Sequence, residues 1–457
     1  MADEIEELLQ QGERHFQEGD IRAARECFEK VLSSRPGHLE AKNNLGVILF
    51  HQGLIDEAID CFHDVLKEDG SNADALANLK MVEDFSEEKA GADRDRKQHL
   101  RVGFVSIWFE RGQSYVTKMI RDAVDSTHET FVFARTGGVF GQAMLETSGQ
   151  WAVPNLTVWP QYDIPADVIV RWIRDNDLDV VVFNEEYDWN LIRAAKRSGA
   201  KVFTYLDYYK DDWKAHMHLY DAVLCSTKRT YELVKDACRA FYIGWGVDTE
   251  LFHLPLNEPE HTFFHNAGWL GINYRKMTPA VIAAFDAVSK VMPELSLFVH
   301  SQVKMEFLPP VVVDMITNNR RITYHVETVP APGLYHKGKI LVFPSKLEGL
   351  GLPLFEGLSC GLPVIATNAP PMNEFVKDGF NGLLVDIAFQ ATRNDNIAFP
   401  EEVVSMTDLA VKMAKMTDDE DLLRKTSTNA RRYAENELAF SKLSKRIGDV
   451  FIEVCHL

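Results

Sequence analysis

One segment, residues 340–386, constrains the fold more strongly than any other part of the chain. It begins with an apolar run at 340–343, whose length and composition are typical of a buried parallel strand. A glycine-rich loop at 348–352 follows, and Pro353 then stands where helices commonly begin. Proline has no backbone N–H, and the N–H groups of a first turn have no partner within the helix, so nothing is lost at this position. A second apolar run, at 363–366, predicts another strand. We therefore expect strand, loop, helix and strand, the building unit of a parallel α/β sheet.

The loop has the chemical features of an anion site. Gly349 and Gly351 let the backbone turn tightly and approach a ligand, and the helix behind them offers unpaired N–H groups and a positive dipole end. Two carboxylates, Glu348 and Glu356, flank the loop, and since carboxylates do not bind phosphate we expect them to accept hydrogen bonds from sugar hydroxyls. Together these features predict a nucleotide sugar. Taken singly they also fit an ordinary turn, with Glu356 balancing the helix dipole.

Length and composition limit the class of protein. A chain of 457 residues is expected to hold about two to four domains. The formal net charge of -19 disfavours a nucleic-acid partner and an anionic membrane surface. The N-terminus is acidic and no apolar run approaches the roughly 18 residues that span a bilayer, so we expect a soluble protein without a membrane span. The six cysteines form no C-x-x-C pair or zinc pattern, which predicts a reducing, cytoplasmic location.

The first 85 residues contain an internal repeat. Five small, aromatic or apolar positions recur with a shift of 34 residues, namely Gly12, Gly19, Ala24, Phe28 and Val31, matched by Gly46, Gly53, Ala58, Phe62 and Val65. This period and residue pattern resemble the tetratricopeptide repeat, a helix–turn–helix unit, and imply a small all-α domain at residues 1–85. The charged stretch 86–99 is expected to be a linker. Such a module binds a protein or peptide partner or serves assembly, including homo-oligomer formation, and the sequence leaves both open.

From residue 100 onward, strand patterns alternate with helical patterns, as in a doubly wound parallel sheet. The glutamates Glu348 and Glu356, separated by seven residues, are followed by the strand 361–367 and the turn 381–385. These pieces resemble the signature of retaining nucleotide-sugar glycosyltransferases with the GT-B fold, of the group 1, family 4-like kind. The resemblance covers the chain from about residue 100 to its end.

The resemblance implies an α/β protein with two Rossmann-like domains that face each other across a cleft. The acceptor-side domain is expected at 100–248 and the nucleotide-sugar donor domain at 249–435, with a last helix at 436–457 crossing back to the first. Residues 387–400 show no regular pattern, and we expect them to form an irregular surface excursion.

The resemblance also implies roles for individual residues. Glu356 is expected to hold the nucleotide ribose, Glu348 to contact the sugar, and Arg275 and Lys276 to stabilise the departing diphosphate. Further donor contacts are expected at Gly112, Gln113, Gly349, Leu350, Gly351 and Leu352, although Gly112 also fits a simple turn. The implied reaction retains the anomeric configuration and uses a nucleotide-diphosphate sugar as donor substrate, without a metal or other cofactor.

Two departures from the family pattern affect the expected site. Trp269 stands where the family has an arginine for the diphosphate, so Arg275, Lys276, the loop amides or another basic residue must supply that charge. The family often has a histidine at the end of the strand 201–206, where this chain has none. Asp207 is the candidate for the polar group on the acceptor side.

Three functions are compatible with these patterns, and the first two belong to the same enzyme class. The repeats recruit a protein or peptide that becomes glycosylated, or the acceptor is a saccharide or small molecule and the repeats only assemble the enzyme. Alternatively, the missing arginine and histidine mean that turnover is lost, which leaves a nucleotide-sugar-binding scaffold. The retained glutamate pair and the pair Arg275 and Lys276 favour an active enzyme.

Overall fold

The computed structural model describes residues 2–96, 99–136, 145–253, 259–269, 272, 274–393, 395 and 397–455. A module of helices is followed by two α/β domains, each built on a parallel sheet, which is the architecture expected from the sequence. No helix in the described ranges is long and apolar enough to cross a membrane.

The N-terminal module consists of five helices, α1 (Ala2–Gln17), α2 (Ile21–Ser34), α3 (Leu39–His51), α4 (Ile55–Glu68) and α5 (Ala73–Arg96). Two of the repeated glycines, Gly12 and Gly46, are contact points between paired helices. A Cβ at Gly12 would lie 2.7 Å from the Phe28 ring, and one at Gly46 would lie 2.6 Å from the Phe62 ring. Both distances are too short for any side chain, so the 34-residue period reflects one packing unit used twice.

Helix α5 differs from the prediction. The stretch 86–99 was expected to be a linker because it is charged and lacks an apolar period, yet α5 continues through Arg96. Residues 86–96 contain several Glu, Ala, Lys and Arg residues, whose intrinsic helix propensity is high, so a helix can continue there without an apolar face. Residues 97–98 lie outside the described part of the chain.

The first α/β domain has a seven-stranded parallel sheet in the order β3-β2-β1-β4-β5-β6-β7, the doubly wound arrangement. Its strands are β1 (Arg101–Ile107), β2 (Glu129–Arg135), β3 (Leu156–Trp159), β4 (Val180–Asn184), β5 (Lys201–Leu206), β6 (Ala222–Cys225) and β7 (Ala240–Tyr242). Its helices are α6 (Gly112–Asp125), α7 (Ala166–Asp175), α8 (Trp189–Arg197) and α9 (Lys228–Val234).

The helical module contacts this domain through the turn between α3 and α4. Arg174, at the end of α7, donates from Nη2 to the backbone oxygen of Gln52 at 2.5 Å. The next residue, Gly53, has φ +73°, and a Cβ there would lie 2.3 Å from the same Arg174 nitrogen. The helical module therefore packs against the first domain at this turn, where the absence of a side chain at Gly53 leaves room for Arg174.

The second α/β domain has a six-stranded parallel sheet in the order β10-β9-β8-β11-β12-β13. Its strands are β8 (His261–Gly268), β9 (Leu297–Ser301), β10 (Ile322–Val326), β11 (Gly338–Phe343), β12 (Val364–Thr367) and β13 (Gly382–Val385). Its helices are α10 (Thr278–Ser289), α11 (Pro310–Asn318), α12 (Leu352–Ser359), α13 (Met372–Phe375), α14 (Met406–Asp418) and α15 (Glu420–Glu437).

The last helix, α16 (Phe440–Cys455), packs on the first domain against α6. Ser444 donates to the backbone oxygen of Ala123 at 2.6 Å. The chain just before the helix pairs with the first domain, where Val247 donates its N–H to Leu438 at 2.7 Å. The C-terminus therefore connects the second domain back to the first.

A second connection lies in the region predicted to be an irregular excursion. Residues 387–400 instead begin a hairpin of two antiparallel strands, β14 (Ile387–Ala391) and β15 (Glu401–Val404). The segment between the strands reaches the first domain, where Ala398 donates its N–H to the Tyr209 oxygen at 2.8 Å and Phe399 is buried in that domain's core. The irregular pattern was misread because this segment is stabilised by contacts with a distant part of the chain.

Candidate active site

A cavity of about 840 Å³ lies between the two α/β domains. Residues that directly follow β4, β5 and β8 line it, namely Glu185, Asp207 and Trp269, together with the loops after β1 and β11. Ligands of open parallel sheets bind at the carboxyl ends of the strands, and ligand sites commonly measure roughly 300–1,000 Å³. The position and the size of this cavity are those of a ligand site shared by both domains.

The glycine-rich loop between β11 and α12 forms one wall, and its two glycines are needed for different reasons. Gly351 has φ +88° and directly precedes α12, so it makes the left-handed turn into the helix. Gly349 faces the first domain, where an added Cβ would lie 2.7 Å from the Cβ of Asp207, a distance that real Cβ atoms essentially never show. The close approach of the two domains therefore depends on Gly349.

Glu348, at the start of this loop, is buried between two cations. Lys276 donates from Nζ to Glu348 Oε1 at 2.5 Å, and Arg275 Nη1 lies 3.7 Å from Oε2. Burial alone would raise the pKa of Glu348, but the charges of Arg275 and Lys276 outweigh it and hold that pKa below its usual value. The three groups together carry one net positive charge beside the start of α12.

The two cations have different surroundings. Arg275 also donates to the Tyr208 hydroxyl at 2.6 Å, and the negative charge of Glu348 raises the Arg275 pKa. Lys276 is buried, and burial lowers its pKa, although Glu348 opposes this effect. Arg275 thus belongs to the boundary between the domains, whereas Lys276 lies within the second domain.

Glu356, in the first turns of α12, is oriented by a tyrosine. The Tyr335 hydroxyl donates to Glu356 Oε2, and Asn266 donates to that hydroxyl at 3.4 Å. Burial raises the pKa of the Glu356 carboxyl above its usual value. A carboxylate held in this way at a cavity wall is suited to accepting hydrogen bonds from hydroxyl groups of a ligand.

Two more carboxyls lie on the first-domain wall. Asp207 accepts hydrogen bonds from the Tyr205 hydroxyl and from Ser226 Oγ, the latter at 3.3 Å. Glu185 Oε1 accepts the backbone N–H groups of Asp207 and Tyr208, both at 2.9 Å, and Glu185 itself has φ +54°. Burial raises the pKa of both carboxyls, and the charge of Asp207 raises that of Glu185 further.

The loop after β1 faces the second domain. Gly112 begins α6, and a Cβ there would lie 3.9 Å from Leu352, the first residue of α12, so the two helices begin next to each other. Gln113 exchanges hydrogen bonds with Asn184, donating to its backbone oxygen at 3.1 Å and accepting from its side chain at 2.9 Å. The side-chain amide of Gln113 therefore holds the neighbouring loop.

Trp269 occupies the place where an arginine was expected, and an arginine from the other domain lies on it. Gly268 ends β8 with φ +64°, and Trp269 follows with 41% of its surface exposed. The Arg111 guanidinium lies 4.9 Å from the centroid of the Trp269 ring. This contact joins the loop after β1 to the end of β8.

All the residues predicted for the site line this one cavity. They are Gly112, Gln113, Asp207, Arg275, Lys276, Glu348, Gly349, Leu350, Gly351, Leu352 and Glu356. Their chemical roles remain predictions. Among the residues that the structure describes, no group of three or more His, Cys, Asp or Glu side chains is arranged to hold a metal ion.

Sequence reasoning did not identify three residues of the site, Glu185, Tyr335 and Arg111. Glu185 directly follows β4, so the rule that ligands meet strand ends could have found it. Tyr335 lies 21 residues before its partner Glu356, and Arg111 is separated from Trp269 by nearly the whole of the first domain. No local pattern marks either of these contacts.

Two family models match parts of this chain. Residues 315–433 match the family described as Glycosyl transferases group 1, and residues 9–77 match the Tetratricopeptide repeat. The first range contains the glycine-rich loop and Glu356, and the second contains the 34-residue period. Both resemblances drawn from the sequence are confirmed over these ranges.

Curated relatives match over short stretches. An uncharacterized glycosyltransferase of Methanocaldococcus jannaschii is 32% identical over 99 residues, which cover 22% of this chain and 24% of that protein. A D-inositol 3-phosphate glycosyltransferase of Paenarthrobacter aurescens is 37% identical over 68 residues, covering 14% of this chain and 17% of that protein. The chain thus spans about a quarter or less of the length of these relatives.

Solved structures share the fold over far more of the chain. The pneumococcal O-GlcNAc transferase in complex with UDP and GlcNAc is 11% identical, with a TM-score of 0.62 over 79% of this chain and 100% of that one. Anabaena HepE in complex with UDP and glucose is 14% identical, with a TM-score of 0.59 over 78% and 100%. An O-GlcNAc transferase mutant of Thermobaculum terrenum is 13% identical, with a TM-score of 0.52 over 99% and 98%. These similarities establish the GT-B fold.

Proposed function

We propose that this chain is a glycosyltransferase that moves a sugar from a nucleoside diphosphate sugar to an acceptor hydroxyl with retention of configuration. The observation that carries the proposal is the arrangement around the glycine-rich loop, with Glu348 neutralised by two cations on one side and Glu356 on the other. The net positive charge beside the start of α12 suits a diphosphate, and Glu356 suits the ribose hydroxyls. The family match at 315–433 and the UDP in two structures of the same fold support this donor class.

In the proposed reaction, the bond between the anomeric carbon and the diphosphate oxygen breaks. The acceptor oxygen forms the new bond on the same face of the sugar, and the acceptor proton passes to the departing diphosphate. Negative charge grows on that leaving group, so Arg275 and Lys276 stabilise the transition state more than the ground state. Glu348 contributes to sugar binding and holds Lys276 in place. The proposal assigns charge stabilisation of the diphosphate to the two cations and includes no metal ion.

Asp207 is the proposed polar group for the acceptor. It belongs to the first domain and lies against Gly349 of the glycine-rich loop, where both residues line the cavity. This position is close to where the transferred sugar would lie. Its contacts with Tyr205 and Ser226 orient the carboxyl group. Glu185 supports the same loop through two backbone N–H groups, and we assign it a positioning role.

We favour a protein or peptide acceptor recruited by the helical module. The O-GlcNAc transferase of Thermobaculum terrenum shares the fold over 99% of this chain, and the helical module is included in that range. A saccharide or small-molecule acceptor is the second candidate, supported by relatives named as D-inositol 3-phosphate glycosyltransferases. In that case the helical module would serve assembly, including homo-oligomer formation.

A cytoplasmic location is part of the proposal. All six cysteines are free thiols, which fits a reducing compartment.

The first experiment is a thermal-shift panel with UDP, GDP and ADP and their sugar conjugates, followed by an assay of diphosphate release. A ligand at 100 times its dissociation constant stabilises the folded state by about 2.7 kcal/mol. We expect one base series to stabilise the protein and its sugar conjugate to be turned over. Glu356→Ala should abolish that stabilisation, whereas Glu294→Gln, on an exposed glutamate of the same domain, should leave it unchanged.

The product identifies the acceptor. With a radiolabelled sugar donor and cell extract, a label that becomes soluble after protease treatment supports a protein acceptor, and a label in protease-resistant glycan or small molecules supports the second candidate. Binding of a nucleoside diphosphate without any turnover would contradict the enzyme and favour a scaffold. A panel without any stabilising ligand would contradict the donor class itself.

A further inference from the structure

The proposed diphosphate site lacks one positive charge if only the second domain is considered. Arg275 and Lys276 share the buried carboxylate Glu348, which leaves one net positive charge. The diphosphate of a nucleotide sugar carries two negative charges, and more charge develops on it as the sugar departs. Trp269, at the end of β8, brings no cation to this wall.

The opposite wall provides a cation at the same place. Arg111 lines the cavity, and its guanidinium lies 4.9 Å from the centroid of the Trp269 ring, within the range of a cation–π contact. Its backbone precedes α6, a helix of 14 residues that begins at Gly112. Gly112 approaches Leu352, so Arg111 stands where two helix starts and the Trp269 ring converge.

We propose that Arg111 binds the donor diphosphate from the first domain and replaces the arginine that the second domain lacks, with Trp269 as its positioning residue. This inference rests on the proposed function and names a further residue of the same site. Arg111 touches the diphosphate directly, whereas the flat face of Trp269 holds the guanidinium in the cleft.

The arrangement links donor binding to the contact between the domains. An arginine directly after β8 would belong to the second domain, as the glycine-rich loop does. It would therefore bind the diphosphate whether or not the cleft between the domains is closed. Arg111 belongs to the other domain, so its contact with the diphosphate requires the two walls to be at their present separation. The charge that stabilises the leaving group is therefore complete only in the closed cleft.

The test compares ligands with and without the diphosphate. Binding of UDP, GDP and ADP and of the matching nucleosides is measured by calorimetry for the wild-type chain and for Arg111→Gln. Loss of one charge-assisted contact predicts diphosphate binding weaker by about ten- to a hundredfold, with nucleoside binding changed less than about twofold. Arg171→Gln is the matched control, because Arg171 is an exposed arginine of the same domain that pairs with Asp167 at 3.5 Å.

A rescue variant tests the replacement itself. In the Arg111→Gln background, Trp269→Arg should recover most of the diphosphate affinity, because it restores a cation at the end of β8. The positioning role of Trp269 is tested with two variants. Trp269→Phe keeps an aromatic ring for Arg111 and should retain diphosphate affinity, whereas Trp269→Ala removes the ring and should lose it. Nucleoside affinity should be unchanged in both variants.

The outcomes separate the two proposals. If the wild-type chain binds none of the nucleoside diphosphates, the proposed function fails and this inference fails with it. If the wild-type chain binds one and Arg111→Gln binds it equally well, only the inference fails. An equal loss for diphosphate and nucleoside would also refute the inference, since Arg111 would then not act on the phosphates.

Discussion

Replacing Gly349 by alanine tests whether transfer requires the two α/β domains to meet. A Cβ at this position would lie 2.7 Å from the Cβ of Asp207 and 2.9 Å from its Cγ. These atoms are the base of a short side chain on the other domain, so no rotamer change moves the Cβ away. The added methyl group can be accommodated only if the domains separate at this point.

The size of the effect follows from these distances. Ordinary contact begins at 3.4 Å, so the contact must lengthen from 2.7 Å to at least that value. The two domains must therefore move apart by somewhat less than about 1 Å at this point. A misplacement of about 1 Å between the acceptor and the donor costs on the order of 100-fold in rate. We therefore expect kcat/KM to fall by about 100-fold.

The assay is diphosphate release from the donor that the thermal-shift panel selects, with kcat and KM measured separately. We expect most of the loss in kcat, because Glu356 and Lys276 stay within the second domain. Gly448→Ala is the control: it lies on α16, and a Cβ there meets nothing within 4 Å. Unchanged kcat/KM for Gly349→Ala would refute the reasoning, because the domains would then not need their present separation.

Two further predictions concern stability. Lys276→Met removes the hydrogen-bonded cation from the buried carboxylate Glu348 but leaves Arg275 3.7 Å away, so we expect the free energy of unfolding to fall by about 1–3 kcal/mol in urea denaturation. Adding Glu348→Gln should recover most of that loss, and a double variant no better than Lys276→Met would contradict the assignment to charge burial. His265 is buried, and burial lowers its pKa from 6.5 to about 4. The folded state holds His265 in its neutral form, so its contribution to the free energy of unfolding is complete above pH 6.5. About 3 kcal/mol of that free energy is lost as the pH falls toward 4, because the unfolded chain takes up a proton at His265 that the folded chain does not. In pH-dependent unfolding, His265→Gln should show a flatter profile than wild type over this window, and parallel profiles would rule out His265 as the cause.

Local sequence patterns predicted the regular elements around the site. The apolar runs at 340–343 and 363–366 coincide with β11 (Gly338–Phe343) and β12 (Val364–Thr367), and the helix predicted after Pro353 is α12. These elements follow from period, length and turn residues, all of which act within a few positions of the chain. In the first domain, the strand expected at 201–206 is β5 (Lys201–Leu206), whereas β2 and β3 were not identified from the sequence.

Two segments were misread for opposite reasons. The charged stretch 86–96 continues a helix because propensity alone allows it, even though no apolar face is present. The hairpin of β14 and β15 gave no clear period, because contacts with the first domain stabilise its connection, including the buried Phe399.

The sequence by itself determined the glycine-rich loop, its flanking carboxylates, the repeat module and the alternation of strands and helices. Each of these depends on backbone freedom or on residue spacing, which neighbouring residues decide. Only the tertiary structure decided which groups complete the site, namely Tyr335 on Glu356, Asp207 against Gly349, and Arg111 on Trp269. The last two pairs join different domains, and even the first joins a loop to a helix beyond the next strand. Such partners meet through the packing of whole elements, and packing leaves no trace in the residues near either one.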